Sequence, residues 1–202
     1  MSGGGWTQGT SNYTLTNNNL TATRTAGAND NLRTLATFTR NTAKGGKFQF
    51  EIKLTVKDAT TAYYGVSSDT SSFTSSGSLA WNTFSNNFTL NAAAPIYGGN
   101  QVLVNDVMGF VFDFTNPAVP VANAYKNGVI ITGGSFNLTN TKIYYPAIFT
   151  STTGAACILN LGGDGAIPFA YPIAGYTPWD PPQAGIAPRM VSSPRPYRFI
   201  TL

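Results

Sequence analysis

Apolar residues in this chain recur at every second position, in short runs separated by clusters of Gly, Asn and Ser. The three-to-four-residue spacing of an amphipathic helix is almost absent, and strict alternation is the mark of a half-buried strand. The clearest run is 47–56, where Phe48, Phe50, Ile52, Leu54 and Val56 point one way and Lys47, Gln49, Glu51, Lys53 and Thr55 the other. Further strands are expected over 32–38, 63–67, 107–114, 119–125, 129–131, 143–149 and 155–159. Three segments read as loops: 69–77, rich in Ser and Thr; 92–101, with Pro95, Gly98 and Gly99; and 133–140, with Gly133, Gly134 and several Asn. Many short strands between turns, with few crossover helices, predict an all-β two-layer antiparallel sandwich rather than a parallel α/β sheet. No internal repeat is present. From Pro178 onward the prolines Pro181, Pro182, Pro188, Pro194 and Pro196 exclude a sheet interior. The reading is therefore a domain over 1–179 and an extended arm over 180–202.

At 202 residues the chain fits one domain. Folding at this length removes about 70% of the unfolded surface, enough for a core without metal or disulfide. Charged residues are scarce, at 10% of the chain against roughly 25% in soluble domains. Ser, Thr, Asn and Gly take their place. The net charge of +4 is uneven: seven basic residues lie in 24–57, none in 59–125, and three in 181–202. The basic residues of 40–57 alternate outward along strands and turns, a solvated face rather than the aromatic-lined basic patch of a nucleic-acid binder. Cys157, the single cysteine, stands in an apolar stretch and reads as a small buried hydrophobe. Residues 1–5 show neither the basic region nor the apolar region of a secretory signal. No apolar run approaches the ~20 residues of a membrane span.

Seven motifs then occur in a familiar order. Gly46-Lys47-Phe48-Gln49-Phe50-Glu51-Ile52 is a Gly-Lys turn opening a strand of alternating aromatics. Tyr64-Gly65-Val66-Ser67 follows, then Asp106-Val107-Met108-Gly109-Phe110-Val111-Phe112-Asp113-Phe114. Lys126-Asn127-Gly128, Tyr144-Tyr145-Pro146-Ala147 and Leu159-Asn160-Leu161-Gly162 come next. Pro168-Phe169-Ala170-Tyr171-Pro172 with Gly175-Tyr176 closes the series. Together, over 45–179, they resemble the SPRY (B30.2) family. Each also has a physical reading. Asn127-Gly128 supplies the positive φ of a tight hairpin, Gly65 and Gly109 allow close backbone approach, and Pro146 ends a pairing edge. The chain departs from the pattern at Asn105, where Gly is common, at Leu161, which replaces an aromatic, and over 115–125, with Pro117 and Pro120. The resemblance implies a bent, jelly-roll-type sandwich with extended terminal segments, used as a non-catalytic scaffold that binds through loops at one end.

The residues give little to catalysis. Without histidine no Ser-His-Asp or Cys-His arrangement can form, and a lone cysteine leaves zinc without its usual ligands. Of the eight acids, Asp106 and Asp113 bracket a strand and face opposite sides; Asp69 with Asp164 is the pair that two loops could bring together. Gly162-Gly163-Asp164-Gly165 lacks the lysine of a phosphate loop and the acids of an EF-hand. No catalytic residue, metal ligand or cofactor is assigned.

Two segments carry candidate contacts. In 69–90, Phe73, Trp81, Phe84 and Asn86 sit among short polar residues and could form a contact surface; Trp81 and Phe84 read equally as core residues of a strand pair. The arm carries Arg189, Arg195, Tyr197, Arg198 and Phe199, which either dock on neighbouring chains or fold back on their own domain. The charge-poor surface, the missing signal and the short design point to a bacteriophage virion protein made in the host cytoplasm. It would be a head decoration or a tail or fibre component, docking on other virion proteins or on copies of itself. The alternative is an adhesin for a host receptor or surface glycan. A cytoplasmic interaction adaptor is a third reading. Neither nucleic acid nor membrane insertion is expected.

Overall fold

A computed structural model describes residues 6–7, 12–26, 30–34, 45–60, 62–68, 79–83, 87–90, 97–98, 101–138, 143–162 and 168–179. These form fifteen strands and no helix, in two sheets packed as a sandwich. One sheet runs β1 (Trp6–Thr7), β4 (Asp30–Thr34), β13 (Tyr145–Thr150), β6 (Ala62–Ser67), β7 (Leu79–Asn82), β8 (Asn87–Leu90) and β9 (Tyr97–Gly98). The other runs β12 (Val129–Asn137), β11 (Val121–Lys126), β10 (Val107–Asp113), β5 (Lys47–Val56), β14 (Ala156–Asn160), β3 (Thr21–Arg24) and β2 (Tyr13–Thr16). The last strand, β15 (Thr177–Pro178), pairs with β5 in parallel; the other pairings are antiparallel.

The ten-residue β5 is the axis of its sheet, and its alternation builds the core. Phe50, Ile52 and Leu54 are fully buried, facing Met108, Phe110 and Phe112 of β10 and Leu159 of β14 on their own sheet, with Tyr64, Val66, Trp81 and Ile148 from the other. Phe50 stacks on Phe110 at 5.0 Å, and Trp179 stands edge-on to Phe50 at 5.3 Å and to Phe112 at 5.0 Å. Such offset and edge-to-face pairs add about 0.5–1.5 kcal/mol each beyond the area they bury. Trp6 closes one side of the sandwich: its backbone N–H reaches Asn19 O at 2.8 Å and its indole N–H reaches Leu20 O at 3.1 Å, tying β1 to the β2–β3 turn.

Several expectations need correction. The outward face of β5 is not solvated throughout: Gln49 and Glu51 are buried beneath residues 168–173. Glu51 accepts the N–H groups of Ala170 and Tyr171 at 2.8 Å each. Gln49 accepts the Ile173 N–H at 2.9 Å and donates to Tyr171 O at 2.8 Å. Residues 168–179 thus form a strap over the outer face of the sheet, ending where β15 pairs with β5 and Trp179 enters the core. Pro178 thus pairs with the sheet, against the expectation for the prolines from 178 onward; it tolerates this position because β15 is two residues long and lies off the main strand path. The loop expected over 133–140 is in part strand, since β12 runs on to Asn137 past a bulge opposite Ala124. The loop expected over 92–101 contains β9. Arg24, on β3, is buried, its guanidinium 4.9 Å from the Tyr13 ring centre. Pro146 does stand where the pairing of β13 with β4 stops, at Ala147 opposite Arg33.

Candidate binding surface

The sandwich has two ends, one at Lys47 and one at Val56 of β5. At the Val56 end two turns lie side by side, and the sequence explains both. Leu103 to Asp106 is a β-turn, with the Asp106 N–H on Leu103 O at 3.0 Å. Its third residue, Asn105, has φ +75°, the left-handed value that a type II turn requires. Here Asn does what Gly does more commonly. The second turn is the two-residue hairpin Asn127-Gly128 between Lys126 and Val129, with φ +49° and +79°, the type I′ geometry.

Polar side chains lock these turns together. Asp106 accepts the Leu103 N–H at 2.7 Å and the Asn127 amide at 2.7 Å, and holds the Lys126 ammonium at 3.1 Å. Asn127 in turn accepts the Val107 N–H at 2.8 Å, and Lys126 also donates to Gln101 O. The Asn105 N–H reaches Leu54 O at 2.8 Å, fastening the first turn to β5. Burial would raise the Asp106 carboxyl, but the Leu103 N–H, Asn127 and Lys126 together outweigh it and hold it below the usual range. Behind the hairpin, the Tyr171 ring of the strap packs so closely on Gly128 that a Cβ there would lie 2.8 Å from it.

This scaffold displays aliphatic side chains. Leu103 is 51% exposed, Val104 47%, Val129 68% and Ile130 50%, and Val56 beside them is 47% exposed. Turn tips are ordinarily polar. Among the described residues, five of the eight exposed large hydrophobics lie at this end; Val119 and Ile143 are at the other end and Tyr171 is on the strap. Nothing in the sequence reading singled this rim out. Its signals are the Val102-Leu103-Val104 run framed by Gln101 and Asn105, and Val129-Ile130-Ile131, which breaks the alternation just after a turn.

The residues proposed from sequence fare differently. Trp81 is a correction: it lies on β7 with no exposed surface, because the β7 alternation turns it into the core. Phe73, Phe84 and Asn86 lie outside the described residues, as do Arg189, Arg195, Tyr197, Arg198 and Phe199 of the arm. Asp106 and Asp113 sit at opposite ends of β10, each engaged by a lysine at 3.1 Å and 2.9 Å. Asp69 and Asp164 lie outside the described residues. Asp58 is sealed in the interior, where it accepts the hydroxyls of Tyr64 and Thr150; burial raises both its carboxyl and the Tyr64 phenol. Burial likewise pushes the Cys157 thiol far up, which keeps it protonated and inert. Among the described residues no three His, Cys, Asp or Glu groups converge as a metal site.

Set against solved structures, the chain is similar to a crystal structure of a human SPRY domain, at 15% identity and a TM-score of 0.57, covering 78% of this chain and 98% of that one. It is similar also to the SPRY domain of human HERC1, at 12% identity and a TM-score of 0.51, covering 69% and 87%. The fold is that of a SPRY domain. By sequence the chain matches no family model and none of the curated proteins. The likeness is therefore one of SPRY architecture alone.

Proposed function

We propose that this chain is a non-catalytic protein-binding module of a bacteriophage virion, docking through the rim at the Val56 end. The observation that carries the reading is that two turns, cross-braced by Asp106, Asn127 and Lys126, hold four aliphatic side chains in solvent. Exposed apolar groups on stiff supports lose little entropy on binding and gain the area they bury. A SPRY-like sandwich suits such a role, since its strands fix the positions of its end turns. The virion assignment is supported by the chain's scarcity of charge, at 10%, and its Ser, Thr, Asn and Gly surface. Such a surface is weakly protected from association and suits a protein packed among many neighbours. The adhesin reading loses one of its aromatic contacts with the burial of Trp81 and gains no observation in return.

The test is particle association. Mass spectrometry of purified particles should find the chain at stoichiometric level, and a variant carrying Leu103→Asp and Val129→Asp should fold yet be missing from the particle. Recovery of the native chain only in the soluble fraction, or normal incorporation of the variant, would refute the reading.

A further inference from the structure

We propose that the rim docks a second copy of this chain, the two copies meeting about a twofold axis. This rests on the reading of the rim as a protein-contact surface and names the partner. In a twofold contact, residues near the axis face their own counterparts, so any net charge there would repel itself. The rim has none to oppose: Asp106 and Lys126 neutralise each other at 3.1 Å, and the side chains around them are Leu103, Val104, Val129 and Ile130. The chain's own arm suits this surface poorly. Residues 180–202 carry three arginines and one acid, Asp180, and the rim's carboxylate already holds a lysine.

The backbone supports the same partner. Val129 and Ile130 open β12, the outer strand of its sheet. Val129 opposite Lys126 closes the two-residue turn, so the next pair, Ile130 opposite Tyr125, is of the kind whose N–H and C=O point away from the partner strand. Exposed edges are usually blunted by charge, proline or a bulge. Residues 129–137 contain neither a charged residue nor proline, and the bulge comes only after Ile130. The first residues of β12 are thus free of all three devices. Two copies placed antiparallel there would join Ile130 backbone groups while burying the four aliphatic side chains against their counterparts.

The experiment is sedimentation equilibrium of the full chain over a wide concentration range. Association should be reversible, and Val129→Asp and Val129→Lys should each weaken it by about tenfold or more. Mixing the two should restore it, because opposite charges then meet across the axis. Val129 is 68% exposed, so neither change should shift the melting temperature. Leu103→Asp, on the other turn, should act as Val129→Asp does and guards against a folding defect in one variant. A native chain that stays monomeric, or variants that associate as the native chain does, would overturn the proposal. A monomer that still enters particles through the rim would overturn self-docking alone; loss of both would overturn the protein-contact reading with it.

Discussion

At Asn127 the chain needs a residue that accepts φ +49° and also offers a donor and an acceptor on a short side chain. Asn meets all three demands: its oxygen takes the Val107 N–H and its nitrogen serves Asp106. Two substitutions separate the contributions. Asn127→Gly keeps the turn and loses both hydrogen bonds, and is expected to cost about 1–2 kcal/mol. Asn127→Asp keeps the size but sets a second carboxylate where the amide now lies 2.7 Å from the Asp106 carboxylate. It should cost more, about 2–3 kcal/mol, and the excess should vanish once acid protonates one of the pair. Urea midpoints at neutral and acid pH measure both; equal costs at neutral pH would show that the Asp106 network does not hold the turn. Asn105, the departure from a glycine in the motif series, is explained by its φ of +75°, a value that Asn tolerates better than most residues.

Among the elements, the strap shows where sequence reasoning stops. Strand β5 was readable end to end, because ten alternating residues allow one register with the aromatics inside. The same alternation misled at Gln49 and Glu51: a polar residue on an outward face looks solvated whether or not another segment later covers it. The covering contacts are separated by about 120 positions in sequence and run to backbone groups, which carry no residue signature. The strands β1, β9 and β15 escaped notice because two residues show no periodicity. The motif turns were legible because Asn-Gly encodes its own dihedral angles, whereas an exposed aliphatic rim looks in sequence like any buried doublet. If the strap is part of the fold, Trp179→Ala should destabilise by about 3–5 kcal/mol. The indole has no exposed surface and sits among Phe48, Phe50 and Phe112. Calorimetry of this variant should show a lower, still cooperative transition; an unchanged melting temperature would remove the strap from the stability of the domain.

For the whole molecule, two groups of acids pull stability in opposite directions with pH. Burial raises Glu51 above 4.5, against the two strap N–H groups that bind it, and raises Asp58 above 3.8. A raised acid contributes stability that is fully present below its unfolded value and is lost as pH rises through its folded value. Asp106 and Asp113 are lowered, the bonds from their turns and lysines outweighing burial. Their contribution is present above 3.8 and lost as pH falls through their folded values. Melting temperatures taken from about pH 7 downward should therefore hold or rise toward about pH 4.5 and fall only in stronger acid. Glu51→Gln, which cannot titrate, should flatten the rise. A steady decline from neutral pH would contradict the assignment. The same molecule offers two ends to a partner, and the exposed aliphatic rim lies at only one of them. A photo-crosslinking residue at Val104 can be compared with one at Val119, which is 44% exposed at the opposite end. Adducts formed in assembled particles would be identified by mass spectrometry. If the rim is the docking surface, Val104 should give discrete adducts, to a particle protein or a second copy, and Val119 none; adducts from Val119 with none from Val104 would contradict binding through the rim.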